Sequence, residues 1–191
     1  TKLDKAQIVE ALRETEKRTP EGKGQIVFIE NHDTDRYMSL VEGDPARARA
    51  GAAISLLAAG EPLLYYGQEI GMRGVTRSDP SLSDRAHIPL REAFRWEADL
   101  EAPGSAIWYA DPGKWWWDER SNRSGDGVSV AEQTDEPGSL LNWYRDLLDL
   151  RQQRAELRRG HQRILCDDGG PMLCLLREAD GARSLLLANL S

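Results

Sequence analysis

Cysteine, histidine and positive charge are all in short supply in this 191-residue chain, and each shortage removes a class of function. Two cysteines, Cys166 and Cys174, cannot build a disulfide framework, and their spacing matches no zinc site. They are expected as buried thiols in strands. Three histidines, His32, His87 and His161, lie too far apart in sequence to argue for a metal cluster. Lysine and arginine number 25 against 32 acidic residues, a net charge of −7. That balance argues against a nucleic-acid partner, because phosphate neutralisation needs a basic surface. No apolar run approaches the length of a membrane span, so no membrane partner is expected. The one basic cluster, five arginines from Arg151 to Arg163, falls at a helix end, where cations complement the dipole.

What is present is ordinary for a globular protein, with 40% hydrophobic and 30% charged residues. The length suits one domain, or one and a part. Thr1 in place of methionine suggests an excised or processed piece.

Hydrophobic periodicity divides the chain. Asp4 to Lys17 reads as an amphipathic helix with Ile8, Val9 and Leu12 on one side, broken at Thr19-Pro20-Glu21-Gly22. Gln25–Glu30 holds four consecutive apolar residues and predicts a strand buried on both faces, as parallel strands are. Asp44 is placed to cap a helix with Pro45 at its first position, an alanine-rich segment running to Ala59 and stopping at Gly60. Leu63–Tyr66 predicts a second strand, so strand, helix and strand make a right-handed βαβ unit. From Met72 to Gly138 regularity is lost, although Trp96, Trp108, Trp115, Trp116 and Trp117 lie there, and such a span is expected as a functional cover. Ser139–Arg158 predicts one strong helix closed by Gly160. Pro171–Arg177 and Ser184–Leu190 then predict an antiparallel hairpin around Ala179-Asp180-Gly181-Ala182, with a domain boundary near residue 160.

Directly after the first strand come Asn31, His32, Asp33 and Arg36, polar groups at the place where α/β folds build their sites. Asn and Asp are also ordinary turn formers, so the cluster alone is compatible with a plain loop. Gln68 and Glu69 similarly follow the second strand. For Glu69 a structural hydrogen-bonding role is favoured over a catalytic one.

In one fixed order, several segments resemble the carboxyl-terminal part of the α-amylase family of glycoside hydrolases. FIENHDTDR (28–36) resembles the family's fourth conserved region at the end of barrel strand seven. AGAAISLLAAGEPLLYYGQEIGM (50–72) resembles helix seven and strand eight. IPLREAFRW (88–96) is similar to the loop segment that follows, with Ala93 where proline is usual. GVSVAEQ (127–133) and SLLNWYRDLLDLRQQRAELRRG (139–160) resemble the approach to helix eight and that helix. The resemblance implies a partial TIM (β/α)8 barrel, from helix six to helix eight with strands seven and eight. It assigns residues 1–160 to the barrel, including a long loop at 72–138, and residues 161–191 to the start of an antiparallel β domain.

By the same resemblance Asp33 is the auxiliary carboxylate that stabilises the transition state, His32 and Arg36 contact the sugar, and Asn31 fixes the loop. Arg36 either binds the sugar or holds Asp33 ionised through its charge. Retaining glycosidases need a nucleophile and a general acid about 5–5.5 Å apart. The family's nucleophile sits in a Gly-x-Arg-x-Asp pattern, which these 191 residues do not contain. The expected substrate is therefore an α-glucan or oligosaccharide, with no turnover by the isolated chain and self-association through unpaired strand edges. No cofactor is expected here; calcium is common in the family, but its usual ligands would lie upstream. A non-catalytic barrel relative serving as a scaffold fits the missing carboxylates equally well. A metallophosphoesterase reading of Asn31-His32-Asp33 lacks the preceding ligand set.

Overall fold

The computed structural model describes residues 3–109, 111–117, 123–166 and 169–191. Its elements are α1 (Lys5–Arg18), β1 (Ile26–Val27), α2 (Tyr37–Leu40), α3 (Pro45–Leu57), β2 (Glu61–Pro62), a 3₁₀-helical stretch (Pro80–Leu90), α4 (Val130–Gln133), α5 (Leu140–Gln153), α6 (Ala155–Arg159), β3 (His161–Ile164), β4 (Met172–Ala179) and β5 (Ala182–Asn189). They fall into two compact units. One comprises Thr1–Ile29, Arg49–Leu63 and Tyr144–Ser191; the other comprises Glu30–Ala48 and Leu64–Trp143.

In the first unit, α1 begins where expected, because Asp4 Oδ1 accepts from the free amides of Ala6 at 2.9 Å and Gln7 at 3.3 Å. Val9 of this helix packs with Ile54, Ala58, Leu173, Leu175, Ala188 and Leu190, so α1, the end of α3 and the β4–β5 hairpin share one apolar core. β3, β4 and β5 form a three-stranded antiparallel sheet. The hairpin turns at Asp180-Gly181, both with positive φ (51° and 81°), the conformation a two-residue turn of primed type requires.

β1 and β2 pair in parallel, Ile26 opposite Glu61 and Val27 opposite Pro62. The ladder is shorter than the predicted strands and falls ahead of Leu63–Tyr66. The expected burial on both faces is also corrected: Ile26 is 62% and Phe28 48% exposed. A parallel strand becomes dry only when neighbours cover it, and among the described residues this sheet has two strands.

Two further expectations change. The predicted single helix is two, α5 and α6, interrupted at Arg154, whose backbone is extended (φ −109°, ψ 109°). Cys166 and Cys174, expected as thiols, form a disulfide with Cα atoms 5.1 Å apart. β3 had been missed because His161-Gln162-Arg163-Ile164 carries no apolar signal. Once it pairs with β4, with Leu165 N donating to Cys174 O, the two sulfurs meet.

Charged groups do much of the joining in this unit. The C-terminus of α3 leaves carbonyls without intrahelical donors. Arg151 of α5 donates to Leu56 O (2.8 Å), Gly60 O (2.7 Å) and Leu157 O (2.8 Å), and Arg177 of β4 donates to Leu57 O (2.8 Å) and Gly160 O (3.0 Å). Gln162 Oε1 accepts from Ala59 N at 2.8 Å. Both arginines are buried, and desolvation pushes the Arg177 guanidinium down to about 10. The helix end thus supplies partial negative charge to two cations that have left water. Gly60 (φ +120°) is required there, since a Cβ would meet Val27 Cγ1 at 2.8 Å.

In the second unit, Ile70, Met72 and Leu141 form a small core with Phe94, Val128 and Val130 packed on it. The Gln133 side chain ties this core together, donating to Ile70 O and Gly127 O (both 2.8 Å) and accepting from Leu141 N (2.9 Å). The 72–138 span, expected to be irregular, contains the 3₁₀ stretch and α4. Both starts have local causes. Asp79 accepts from Ser81 N with Pro80 following it, and Ser129 Oγ accepts from Glu132 N while donating to Glu132 Oε2.

Arg151→Ala should cost about 3 kcal/mol or more, since several buried carbonyls lose their donor at once. Arg183→Ala, which removes an exposed ion pair, should stay within about 0.5 kcal/mol. Urea denaturation of the two variants measures the contrast, and equal effects would remove the helix-end argument.

Candidate active-site loop

The loop after β1 is held at both ends by buried charge. Glu30 and Arg36 are 1% and 0% exposed. Arg36 Nη1 donates to Glu30 Oε1 at 2.8 Å and to Tyr66 O at 2.6 Å, while Glu30 Oε2 accepts from Tyr37 N at 2.6 Å. The guanidinium lies 4.2 Å from the Tyr65 ring centroid and 5.0 Å from that of Tyr66. Burial pushes the Glu30 carboxyl up, and the Arg36 charge and hydrogen bond oppose the shift without cancelling it. Burial likewise raises Tyr66 to about 12, so its hydroxyl stays protonated and donates to Glu92 O at 2.9 Å.

Backbone bonds extend the grip. Arg36 N donates to Gly74 O at 3.0 Å and Thr76 N to Asp35 Oδ1 at 2.7 Å, so segment 73–77 runs alongside the loop. Between the clamped ends the chain turns on its own side chains. Asn31 Oδ1 accepts from Asp33 N at 2.8 Å, an Asx-turn, and Thr34 Oγ1 accepts from Asn31 N at 2.9 Å.

The turn presents Asp33 to solvent, with its side chain 54% exposed. Its two oxygens face different cations or donors: Oδ2 is 3.1 Å from His32 Nε2, and Oδ1 is 2.9 Å from Arg91 Nη2. Arg91 Nε also donates to His32 O at 3.1 Å. The result is a carboxylate at a loop tip, oriented by an imidazole and a guanidinium and open on its remaining side.

The structure therefore brings Asn31, His32 and Asp33 together at the tip and places Arg36 beneath them. Arg36 turns away from Asp33 to Glu30; the cation that reaches Asp33 is Arg91. In the sequence Arg91 stands within the 88–96 segment with no site role, and Glu30 closes the Gln25–Glu30 strand. An acidic residue closing an apolar strand, with an arginine six positions later, was the available signal for that pair. Glu69, expected as a structural hydrogen bonder, has its Oε2 buried with no hydrogen-bond partner among the described residues. Among the described residues, no group of three or more His, Cys, Asp or Glu side chains is arranged to hold a metal ion.

A hydrophobic-to-aromatic row leads from the tip: His32 to Tyr65, Tyr65 to Tyr66, Tyr66 to Phe94 and Phe94 to Trp96, with ring centroids 6.5, 4.6, 6.4 and 4.6 Å apart. Trp96 ends this row 63% exposed. Trp115 and Trp116 meet edge to face at 5.7 Å.

Residues 1–160 match the family described as the α-amylase catalytic domain. The chain is 27% identical over 166 residues to α-amylase 3 of Dictyoglomus thermophilum, covering 86% of this chain and 30% of that protein. It is 34% identical over 162 residues to a trehalose synthase of Thermus thermophilus, covering 82% of this chain and 16% of that protein. Among solved structures, the α-amylase from H. orenii aligns with a TM-score of 0.67 at 29% identity, over 86% of this chain and 30% of the other. The chain thus spans less than a third of the length of each of these proteins.

Glu30→Ala leaves the Arg36 charge buried without its carboxylate and should cost about 3–5 kcal/mol. Asp33→Asn, at the exposed tip, should change stability by less than about 0.5 kcal/mol. The raised Glu30 carboxyl also sets a sign. A folded-state value above the ordinary 4.5 means the native state holds the proton more tightly, so Glu30's contribution is fullest below 4.5 and declines as pH rises past it. Glu30→Gln cannot titrate and should gain on the parent chain as pH rises above 4.5 in paired denaturation curves. A widening deficit would reverse the assignment.

Proposed function

Since this chain belongs to the α-amylase family, we propose that it is the carboxyl-terminal part of an enzyme that hydrolyses or transfers α-glucosidic bonds by a retaining mechanism, and that Asp33 is its auxiliary carboxylate. Family members similar to it are an amylase, a trehalose synthase and a glucanotransferase, all glycoside hydrolases or transferases. The observation that carries the residue assignment is the clamped loop. Glu30 and Arg36 fix its base, and Asp33 stands at its open tip between His32 and Arg91.

In this reading Asp33 accepts hydrogen bonds from sugar hydroxyls. Those bonds strengthen as positive charge develops on the ring, so they favour the transition state over the ground state. His32 donates to a neighbouring hydroxyl. Arg91 holds Asp33 turned outward, while Asn31 and Arg36 act on substrate through the loop they hold. The nucleophile and general acid belong to a part of the parent enzyme not contained in these 191 residues.

The fold follows the same reading. β1 and β2 are barrel strands seven and eight, with α1, α3 and α5 as helices six to eight. Residues 1–160 complete the barrel portion, and 161–191 open the β domain.

Purified chain incubated with maltooligosaccharides should release no reducing ends above a buffer control. Sustained hydrolysis that Asp33→Ala abolishes would overturn the placement of the two principal carboxylates. The exposed Ile26, Phe28 and Leu63 of the two-stranded sheet should drive self-association. Sedimentation should show mass above the 21.4 kDa of one chain, and a monodisperse monomer would contradict the partial-barrel reading.

A further inference from the structure

We propose that the second unit carries a binding site for a small organic oxyanion, a carboxylate or phosphate, in a cavity of about 260 Å³ between α2 and segment 73–77. The cavity is distinct from the loop tip. Its charged walls are Arg73 and Arg77, with Glu42 exposed at the rim, and Met38, Val75 and Tyr109 supply apolar surface.

Arg73 is the central observation. Its Nε is buried without a hydrogen-bond partner, and its guanidinium makes no hydrogen bond or ion pair among the described residues. A desolvated N–H without an acceptor is costly, and native structures supply one from protein, water or ligand, while the terminal nitrogens of this half-buried side chain still meet solvent. The group is also closely seated. A Cβ on Gly43, whose φ is +77°, would meet Arg73 Nη2 at 2.9 Å, so the bare glycine backbone makes the room it occupies. Arg77 adds a second positive charge while its Nη2 donates to Trp117 O at 2.9 Å. With Glu42 included, the lining keeps a net charge of +1 in a chain whose total is −7. Planar guanidinium donors match the paired oxygens of carboxylate and phosphate.

The cavity wall is tied down before any ligand arrives. Gly74 N donates to Ser39 Oγ at 2.9 Å, and Gly74 O and Thr76 N hold Arg36 N and Asp35 Oδ1. An oxyanion on Arg73 therefore braces the same segment that runs beside the Asn31–Arg36 loop. This inference does not depend on the proposed function and holds for a scaffold as well as for an enzyme.

Equilibrium dialysis of the whole chain against radiolabelled orthophosphate, at fixed ionic strength, tests it and tolerates self-association. The expected result is saturable binding of one phosphate per chain with Kd on the order of 1 mM. Acetate should compete if the carboxylate is recognised equally, and glucose 6-phosphate should compete better than phosphate if the apolar wall takes an organic body; glucose alone should not compete. Arg73→Gln should weaken binding at least about tenfold. Arg73→Lys should fall between the two, since it keeps the charge and loses the fork. Arg85→Gln, at an exposed arginine bonded only within its own turn, should leave binding unchanged. Circular dichroism confirms that each variant is folded. Absence of saturable binding, or equal binding in Arg73→Gln and the parent chain, overturns the proposal and leaves the cavity to water.

Discussion

The ion pair between Glu30 and Arg36 is the constraint on which the candidate site rests. Two opposite charges are taken almost wholly out of water, which is tolerated only when each finds several partners. Glu30 meets that demand with the guanidinium and Tyr37 N, and Arg36 meets part of it with the carboxylate, Tyr66 O and the tyrosine faces. Satisfying both charges forces residues 30 and 36 together, and the five residues between them must then bulge outward. The exposure of Asp33 is thus a consequence of what is buried beneath it. A looser base would leave the Asx-turn at Asn31, with His32 and Arg91, to set the direction of the carboxylate.

The first unit uses charge in a related way, but against a helix end instead of an opposite ion. Arg151 and Arg177 reach carbonyls from Leu56 to Gly60 that belong to a segment about a hundred residues earlier. One arginine comes from a helix and one from a strand, so α3, α5 and β4 are fixed by a shared polar knot beside the apolar core at Val9 and Leu173. Arginine suits this because its rigid fork serves several acceptors at once. The basic cluster expected at a helix end therefore includes a buried member, Arg151.

Much of the fold was legible where one local cause decides the outcome. Asp44 caps the helix it was expected to cap, and Asp180-Gly181 turns the hairpin. Legibility failed where the cause is distant. β3 is a strand because β4 accepts it, and the disulfide follows from that pairing, so neither shows in the residues 161–166 themselves. The helix break at Arg154 has no glycine or proline to announce it. At the site, Asn31, His32 and Asp33 were readable because they adjoin one another. Arg91 was not, since only folding brings it 58 positions back to Asp33. Glu30 shows a subtler failure: it reads as the end of the apolar strand, while its partner six positions on reads as a residue serving the sugar or Asp33.

The two compact units interleave along the chain, which passes from one to the other at residues 29–30, 48–49, 63–64 and 143–144. Helices α3 and α5 each carry one of these passages within their own length. A single proteolytic nick at any passage would divide the first unit between two fragments that no covalent bond joins. Gene fusions and circular permutation at these junctions would interrupt a helix or the ends of a parallel ladder, so engineered breaks belong instead in exposed turns such as Asp180-Gly181.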